Sequence, residues 1–304
     1  MEPFLVADGI RSGLSRESLR SSYWQAPFYG IRAVSGSLRS VEDVCTAYAL
    51  KLRPGSVFAG VTAARLWRMP LPAYLGREIG VVHVSAEDPR RAPRGVGVRG
   101  SRHHRGTSTT RIGSLPVLSA AETWRSIWRE LDPCDLTAVA DHLLSDRTGP
   151  PLSTLEALGD LLRDHRHGPG IEKLRRALAD ARPGSWSRPE TLVRLVLTSA
   201  GIPEPQLNLA IAPGRRSPRV DLAWPAVRFG LEYDGDQHRS PAEFSADIRR
   251  QERVQDVGWS LMRVTRSDLF DRPAELVDRV HRRLAERGWP GIRVRGSQMV
   301  VVRR

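Results

Sequence analysis

Val220-Asp221-Leu222, a Trp224-Pro225-Ala226 turn, and then Glu232-Tyr233-Asp234-Gly235-Asp236-Gln237-His238 form the stretch that decides the fold of this chain. Two segments of strand character, Arg219 to Trp224 and Arg228 to Glu232, flank the turn and read as a hairpin. The first strand carries one carboxylate between two aliphatic residues. The second is apolar through Phe229, Gly230 and Leu231, and then releases three acids and a histidine within seven residues. Carboxylates on adjacent strands, converging at one end of a sheet, are the hard oxygen ligands that a divalent cation working on phosphate needs.

The flanks extend the pattern. Ser187-Arg188-Pro189-Glu190 starts a helix: a serine cap, proline in the first turn, and a glutamate three residues after the cap. That helix runs to about Ala200 and stops at Gly201 and Pro203. Leu207 to Ile211 reads as a strand, and the hairpin follows. Pro241 to Val257 is a helix bearing Asp247, Arg249, Arg250, Glu252 and Arg253; Gly258 ends it, and Trp259 to Val264 is another strand. Glu275 to Arg287 closes the domain. The order is α-β-β-β-α-β-α over residues 185–290, with a basic tail over 291–304.

That order, with Asp221 on the second strand and an acidic cluster on the third, resembles the PD-(D/E)XK restriction-endonuclease-like core. More narrowly, residues 185–287 resemble endonuclease domains of the very-short-patch-repair type. Arg188-Pro189-Glu190, Val220-Asp221-Leu222, the Glu232 to His238 run, Asp247 and Arg250, and Gly258-Trp259 with Leu261, Arg263 and Val264 carry the match. The resemblance implies an α/β fold and a magnesium- or manganese-dependent hydrolase that cuts DNA. It implies Asp221 as a metal ligand, Glu232 and Asp234 as further ligands, Glu190 reaching the site from the first helix, and His238 acting on the attacking water or the leaving group. The general signature has a lysine two positions after the third-strand acid. Here that position is Asp234, and the very-short-patch-repair enzymes, which also lack the lysine, rely on histidine instead. Plainer roles stay open: Glu190 as capping-box partner, Asp234-Gly235 as a turn pair, and His238 as a helix cap or a solvated side chain.

The remainder of the 304 residues is long enough for a second, smaller α/β domain, expected over 1–147 and joined by a helical bridge over 148–184. The Arg147-Thr148-Gly149-Pro150-Pro151 break marks the boundary. Within 1–147, Ser15 to Ser21 reads as a short helix in a packed arm or a reduced helix-turn-helix, Val41 to Leu50 as a helix, and Val57 to Trp67 as strand, glycine turn and helix. Ile79 to Val84 reads as a strand, Glu87 to Arg99 as a loop, and Ser119 to Leu131 and Leu136 to Leu144 as helices. Gly60 to Trp67, Val82-His83-Val84, the arginine-rich 90–105 stretch and Pro116 to Ser119 resemble, more faintly, the AbiEi-type antitoxin proteins, implying a module that contacts DNA or a partner. Adjacent His103 and His104 point to opposite faces of a strand, so a basic loop or strand edge is expected there and not a metal site.

The net charge is +13, and only Lys51 and Lys173 are lysines. Arginine abundance follows coding bias, but the surplus over acids is separate from it: residues 181–304 alone hold 22 arginines against 15 acids. Such a surplus favours a polyanion, DNA first, through phosphate contacts and counterion release. No run of eighteen apolar residues exists and Met1-Glu2-Pro3 does not open a signal peptide, so a soluble, cytoplasmic protein with no membrane partner is expected. Cys45 and Cys134 are too few for a zinc cage and read as buried small residues. The endonuclease reading has as its rival a non-catalytic DNA-binding or antitoxin-like regulator on the same fold; an RNA-processing enzyme is a third. A homodimer and a partner toxin or repair protein stay open.

Overall fold

The chain divides into two units, Met1–Asp132 with Leu152–Arg175, and Pro133–Pro151 with Arg176–Arg304. The computed structural model describes residues 2–76, 80–212, 217–235, 241–291 and 300–303; the side chains of 241–248 are not among those described. No helix among these residues is long and apolar enough to cross a membrane. The molecule is of mixed α/β class.

In the first unit β1 (Phe4–Leu5), α1 (Val6–Arg11), β2 (Trp24–Gln25) and β3 (Ile31–Val34) come first, the strands ordered β1-β3-β2. The helix expected over Ser15 to Ser21 is only a 3-10 turn, Ser18–Arg20. Its serine-rich run is too short to carry the cost of helix nucleation. Next come α2 (Val41–Ala49), β4 (Ser56–Phe58), α3 (Gly60–Leu66), α4 (Ala73–Gly76), β5 (Val82–Glu87), β6 (Val98–His103), β7 (Thr109–Ile112), β8 (Leu115–Leu118) and α5 (Ala120–Ser126). The five later strands form a sheet of order β6-β5-β4-β8-β7. Phe58, Val84 and Val117 are sealed beneath α2 and α3, with Cys45 and Ala63 packed among them. Burial pushes the Cys45 thiol up to about 12, so it behaves as a small apolar group.

The second unit begins at α6 (Pro133–Leu144), which the sequence reading assigned to the N-terminal domain. α7 (Leu155–Asp164), expected in a bridge, belongs to the first unit, and the boundary crosses α8 (Ile171–Asp180). The reason is side-chain chemistry that a turn signal cannot report. Asp135 on α6 pairs with Arg188 at 2.7 Å, and Asp141 accepts from Thr191 at 2.7 Å, tying α6 to α9 (Arg188–Ser199).

Then follow β9 (Gln206–Ala210), β10 (Arg219–Trp224), β11 (Phe229–Asp234), α10 (Pro241–Asp256), β12 (Ser260–Thr265), α11 (Arg266–Phe270) and α12 (Pro273–Glu286). The sheet order is β12-β11-β10-β9. β9, β10 and β11 run as an antiparallel meander, and β12 lies parallel to β11 after the α10 crossover. A parallel neighbour requires such a crossover. Leu222, Trp224, Phe229 and Leu231 from the hairpin close one core with Leu192 and Val196 of α9 and Val280 and Leu284 of α12. At the corner Trp224 stacks on Phe229, their rings 5.8 Å apart, and donates its indole N–H to Pro203 O at 2.9 Å. Gly230 must lack a side chain, because a Cβ there would stand 2.3 Å from Val220 Cγ1.

Candidate functional site: a carboxylate cluster at a strand end

The β10–β11 register, Trp224 opposite Phe229 and Leu222 opposite Leu231, brings Asp221 and Glu232 to the same end of the hairpin. Asp221 does more than sit there. Its Oδ2 accepts the backbone N–H of Tyr233 at 2.9 Å, so a carboxylate fills a place in the ladder that a carbonyl would ordinarily take. The side chain is thereby fixed against the strand that carries Glu232.

Glu190 arrives from the first turn of α9, placed by the Ser187 cap. It is buried, and donors hold both its oxygens. The Ser187 hydroxyl donates to Oε1 at 2.9 Å, while the Trp186 N–H and the Asn208 amide each donate to Oε2 at 2.9 Å. Asn208 gives its second hydrogen to Gly184 O at 2.7 Å from a left-handed backbone, φ +47°. Glu190 thus does the work of a cap partner and also places negative charge near Asp221.

Burial, then the neighbouring charge of Glu190, raise the Asp221 carboxyl to about 7; Glu232 adds to the rise, while the Tyr233 N–H and the Arg250 guanidinium oppose it. Three carboxylates therefore share one electrostatic neighbourhood. Arg250 of α10 pairs with Glu232 and also donates to Arg219 O, and Arg263 of β12 lies 3.5 Å from Asp234. Beside Glu232 is a cavity of about 570 Å³ whose charged lining is Glu232, Arg250, Arg263 and Arg287. A carboxylate edge facing several arginines suits a phosphate group that arrives with a cation.

The structure thus gathers Glu190, Asp221 and Glu232, while Asp234, on the same strand, is engaged by Arg263. His238 lies outside the described residues, as does Asp236. Among the described residues no three Asp, Glu, His or Cys side chains stand close enough together to hold a metal ion. Sequence reading gave Arg250 no role at the acids and missed Asn208. A polar residue between Leu207 and Leu209 on an apolar strand was the available signal. His103 and His104 do diverge: His103 is buried with Nδ1 3.0 Å from Ser85 Oγ, and His104 is exposed, 3.2 Å from Asp88.

No family model matches the chain, and no solved structure does. Uncharacterised proteins from two strains of Mycobacterium tuberculosis are similar to it, each 28% identical over 176 residues. The match takes in 57% of this chain and 62% of each relative, so the chain spans less than two thirds of their length.

Proposed function

We propose that the second unit is a metal-dependent endonuclease of the PD-(D/E)XK, very-short-patch-repair type that hydrolyses DNA phosphodiester bonds. The observation that carries this is Asp221: an acid pinned to the adjacent strand by the Tyr233 N–H, whose carboxyl burial first, and then the like charges of Glu190 and Glu232, raise to about 7. Each of Glu190, Asp221 and Glu232 has a structural partner, but their mutual repulsion works against the fold, whereas a site for a hard cation uses it. The helix, antiparallel meander, crossover helix and parallel strand supply the element order that the reading needs.

The donor set suits Mg²⁺ or Mn²⁺ in kind, since it is all carboxylate, but Asp221, Glu232 and Asp234 do not stand as a ready group of ligands. They would hold the ion only once Arg250 and Arg263 release Glu232 and Asp234, and the ion would supply positive charge to polarise the phosphate. The protein's own groups do the rest. Arg263 and Arg287 line the cavity beside Glu232 as phosphate donors, and Arg250 moves from Glu232 to the substrate as the site fills. Glu190, held by three donors, keeps negative charge beside Asp221. His238 exchanges a proton with the attacking water or the leaving group, with an expected loss of roughly two to four orders of magnitude in His238→Ala.

The pairing of Glu232 with Arg250 and of Asp234 with Arg263 favours one second reading, a DNA-binding platform in which arginines stand where a cation would. Supercoiled-plasmid conversion separates the two, run with Mg²⁺ or Mn²⁺, with chelator, and with Asp221→Ala. Metal-dependent nicking by wild type that Asp221→Ala lacks supports the enzyme. Equal nicking by both proteins points to a contaminant and removes the proposal, and DNA binding without nicking by either leaves the platform.

A further inference from the structure

A cavity of about 520 Å³ lies in the first unit between the C-terminal end of α2, β5 and the Arg90 to Val98 loop. We propose that it binds an unstacked base of a single-stranded nucleic acid, with Tyr29 as the stacking surface and Lys51, Arg91 and Arg94 on the flanking phosphates.

Phe28 is buried and meets Tyr48 edge-on, ring centroids 4.9 Å apart, which fixes the apolar wall. The next residue does the opposite: Tyr29 is 92% exposed. Lys51 holds it there, donating to Tyr29 O at 2.8 Å with its ammonium 5.1 Å from the ring centroid. Tyr29 also lines a second hollow of about 450 Å³ on its other flank, shared with Phe28 and Val96. With Lys51 over one face, the ring keeps its other face for a base, and a ring so exposed beside two hollows is a stacking platform.

The charge of the cavity identifies that partner. Arg53 and Arg90 join Lys51, Arg91 and Arg94 in its lining, and no carboxylate among the described residues lines it. The loop that carries Arg90, Arg91 and Arg94 is itself tied down. Val98 N–H donates to Gly95 O at 3.1 Å, Val82 N–H donates to Gly97 O at 2.9 Å, and the Arg90 guanidinium bonds Pro54 O. Gly100 has no Cβ, which would otherwise lie 1.8 Å from Pro93 O, so the loop rests directly on β6. A purely apolar partner leaves five cations unused, and an acidic peptide leaves the tyrosine face unused. Duplex bases already have both faces covered, so among nucleic acids a single strand is the form that engages ring and spread cations together.

The proposal does not depend on cleavage by the second unit, and its test is run in chelator so that the two can fail separately. Full-length protein is titrated by fluorescence anisotropy with a labelled single strand of about ten nucleotides, and with an abasic strand of equal length. The base-bearing strand should bind on the order of tenfold tighter. Tyr29→Ala should abolish that difference and Tyr29→Phe should keep it, while Arg91→Ala with Arg94→Ala weakens both strands alike. Equal binding of the two strands by wild type, or a difference that persists in Tyr29→Ala, overturns the proposal. A duplex of the same sequence that binds as strongly as the single strand, with the same dependence on Tyr29, also overturns it.

Discussion

Asp141 and Asp221 both lie in the second unit, both are substantially buried, and burial pushes both carboxyls up, to about 6 and about 7. What surrounds them is opposite. Asp141 receives the Arg182 N–H at 2.6 Å on Oδ1, and the Thr191 hydroxyl at 2.7 Å and buried Arg194 at 3.2 Å on Oδ2. Its local charges and donors all pull its carboxyl down, against the desolvation that raises it. Around Asp221 two of the neighbours, Glu190 and Glu232, push with burial instead of against it. The first acid is cemented into the joint between α6 and α9, and the second holds unfavourable charge at the end of a sheet. Burial alone does not mark a functional acid; the sign of its neighbours does.

The contrast can be broken by mutation. Asp141→Ala takes one carboxylate from the Arg194 guanidinium, whose side chain is 1% exposed and which keeps Glu204 at 3.0 Å and Asp180 O at 2.7 Å, and should destabilise the protein by about 3 kcal/mol in urea unfolding, the lower end for a broken buried pair. A loss below about 1 kcal/mol would mean that Asp141 is no more of a structural joint than a surface pair is.

Asp221→Asn should act in the other direction. The folded carboxyl titrates near 7 against 3.8 for the ordinary group, so the native state holds its proton more tightly. Wild-type stability contributed by this group is therefore complete below about pH 4 and is lost as pH rises through about 7. The asparagine variant escapes that loss. It should gain about 1–3 kcal/mol over wild type at pH 8 and nothing at pH 4, a range set below the full linkage value because Asp221 is half-buried. Parallel stability curves for the two proteins would show that the Asp221 carboxyl is not raised by the fold.

The smallest effect is expected at Arg250. Its pair with Glu232 is partly exposed, so Arg250→Ala should cost less than about 1 kcal/mol, far less than breaking the Asp141–Arg194 pair. Because Arg250 opposes the rise at Asp221, its removal should also shift the pH dependence of wild-type stability upward. An Arg250→Ala loss as large as that of Asp141→Ala would show the site cluster to be a structural joint too.

Sequence reading reached the hairpin because its residues state their own geometry: alternating and apolar strands, a proline turn, and acids gathered at one end. It also reached α9 through the Ser187 cap and α10 through Gly258. It reached only the end of β6, as a basic loop or strand edge at His103, and put the strand's start at Val98 and Arg99 in a loop, because its Arg99 to Arg102 run faces solvent and shows no apolar alternation. The allegiance of α6 was hidden as well, because Asp135 and Asp141 find their partners more than forty residues away. At the site, Asp221, Glu232 and Glu190 were legible as residue types in the right places. The Arg250–Glu232 pair and the Asn208 contact with Glu190 were not, since each depends on how a helix or a strand bend closes on the sheet.

The most direct test of the account is thermal unfolding of wild type and Asp221→Asn at pH 8, with and without Mg²⁺ or Mn²⁺. Without metal the variant should melt higher. With metal at about a hundredfold over its dissociation constant, wild type should gain about 2.7 kcal/mol while the variant gains little, so the variant's lead should shrink or reverse. Metal shifts of equal size in the two proteins, or no shift in wild type, would contradict a cation site built around Asp221.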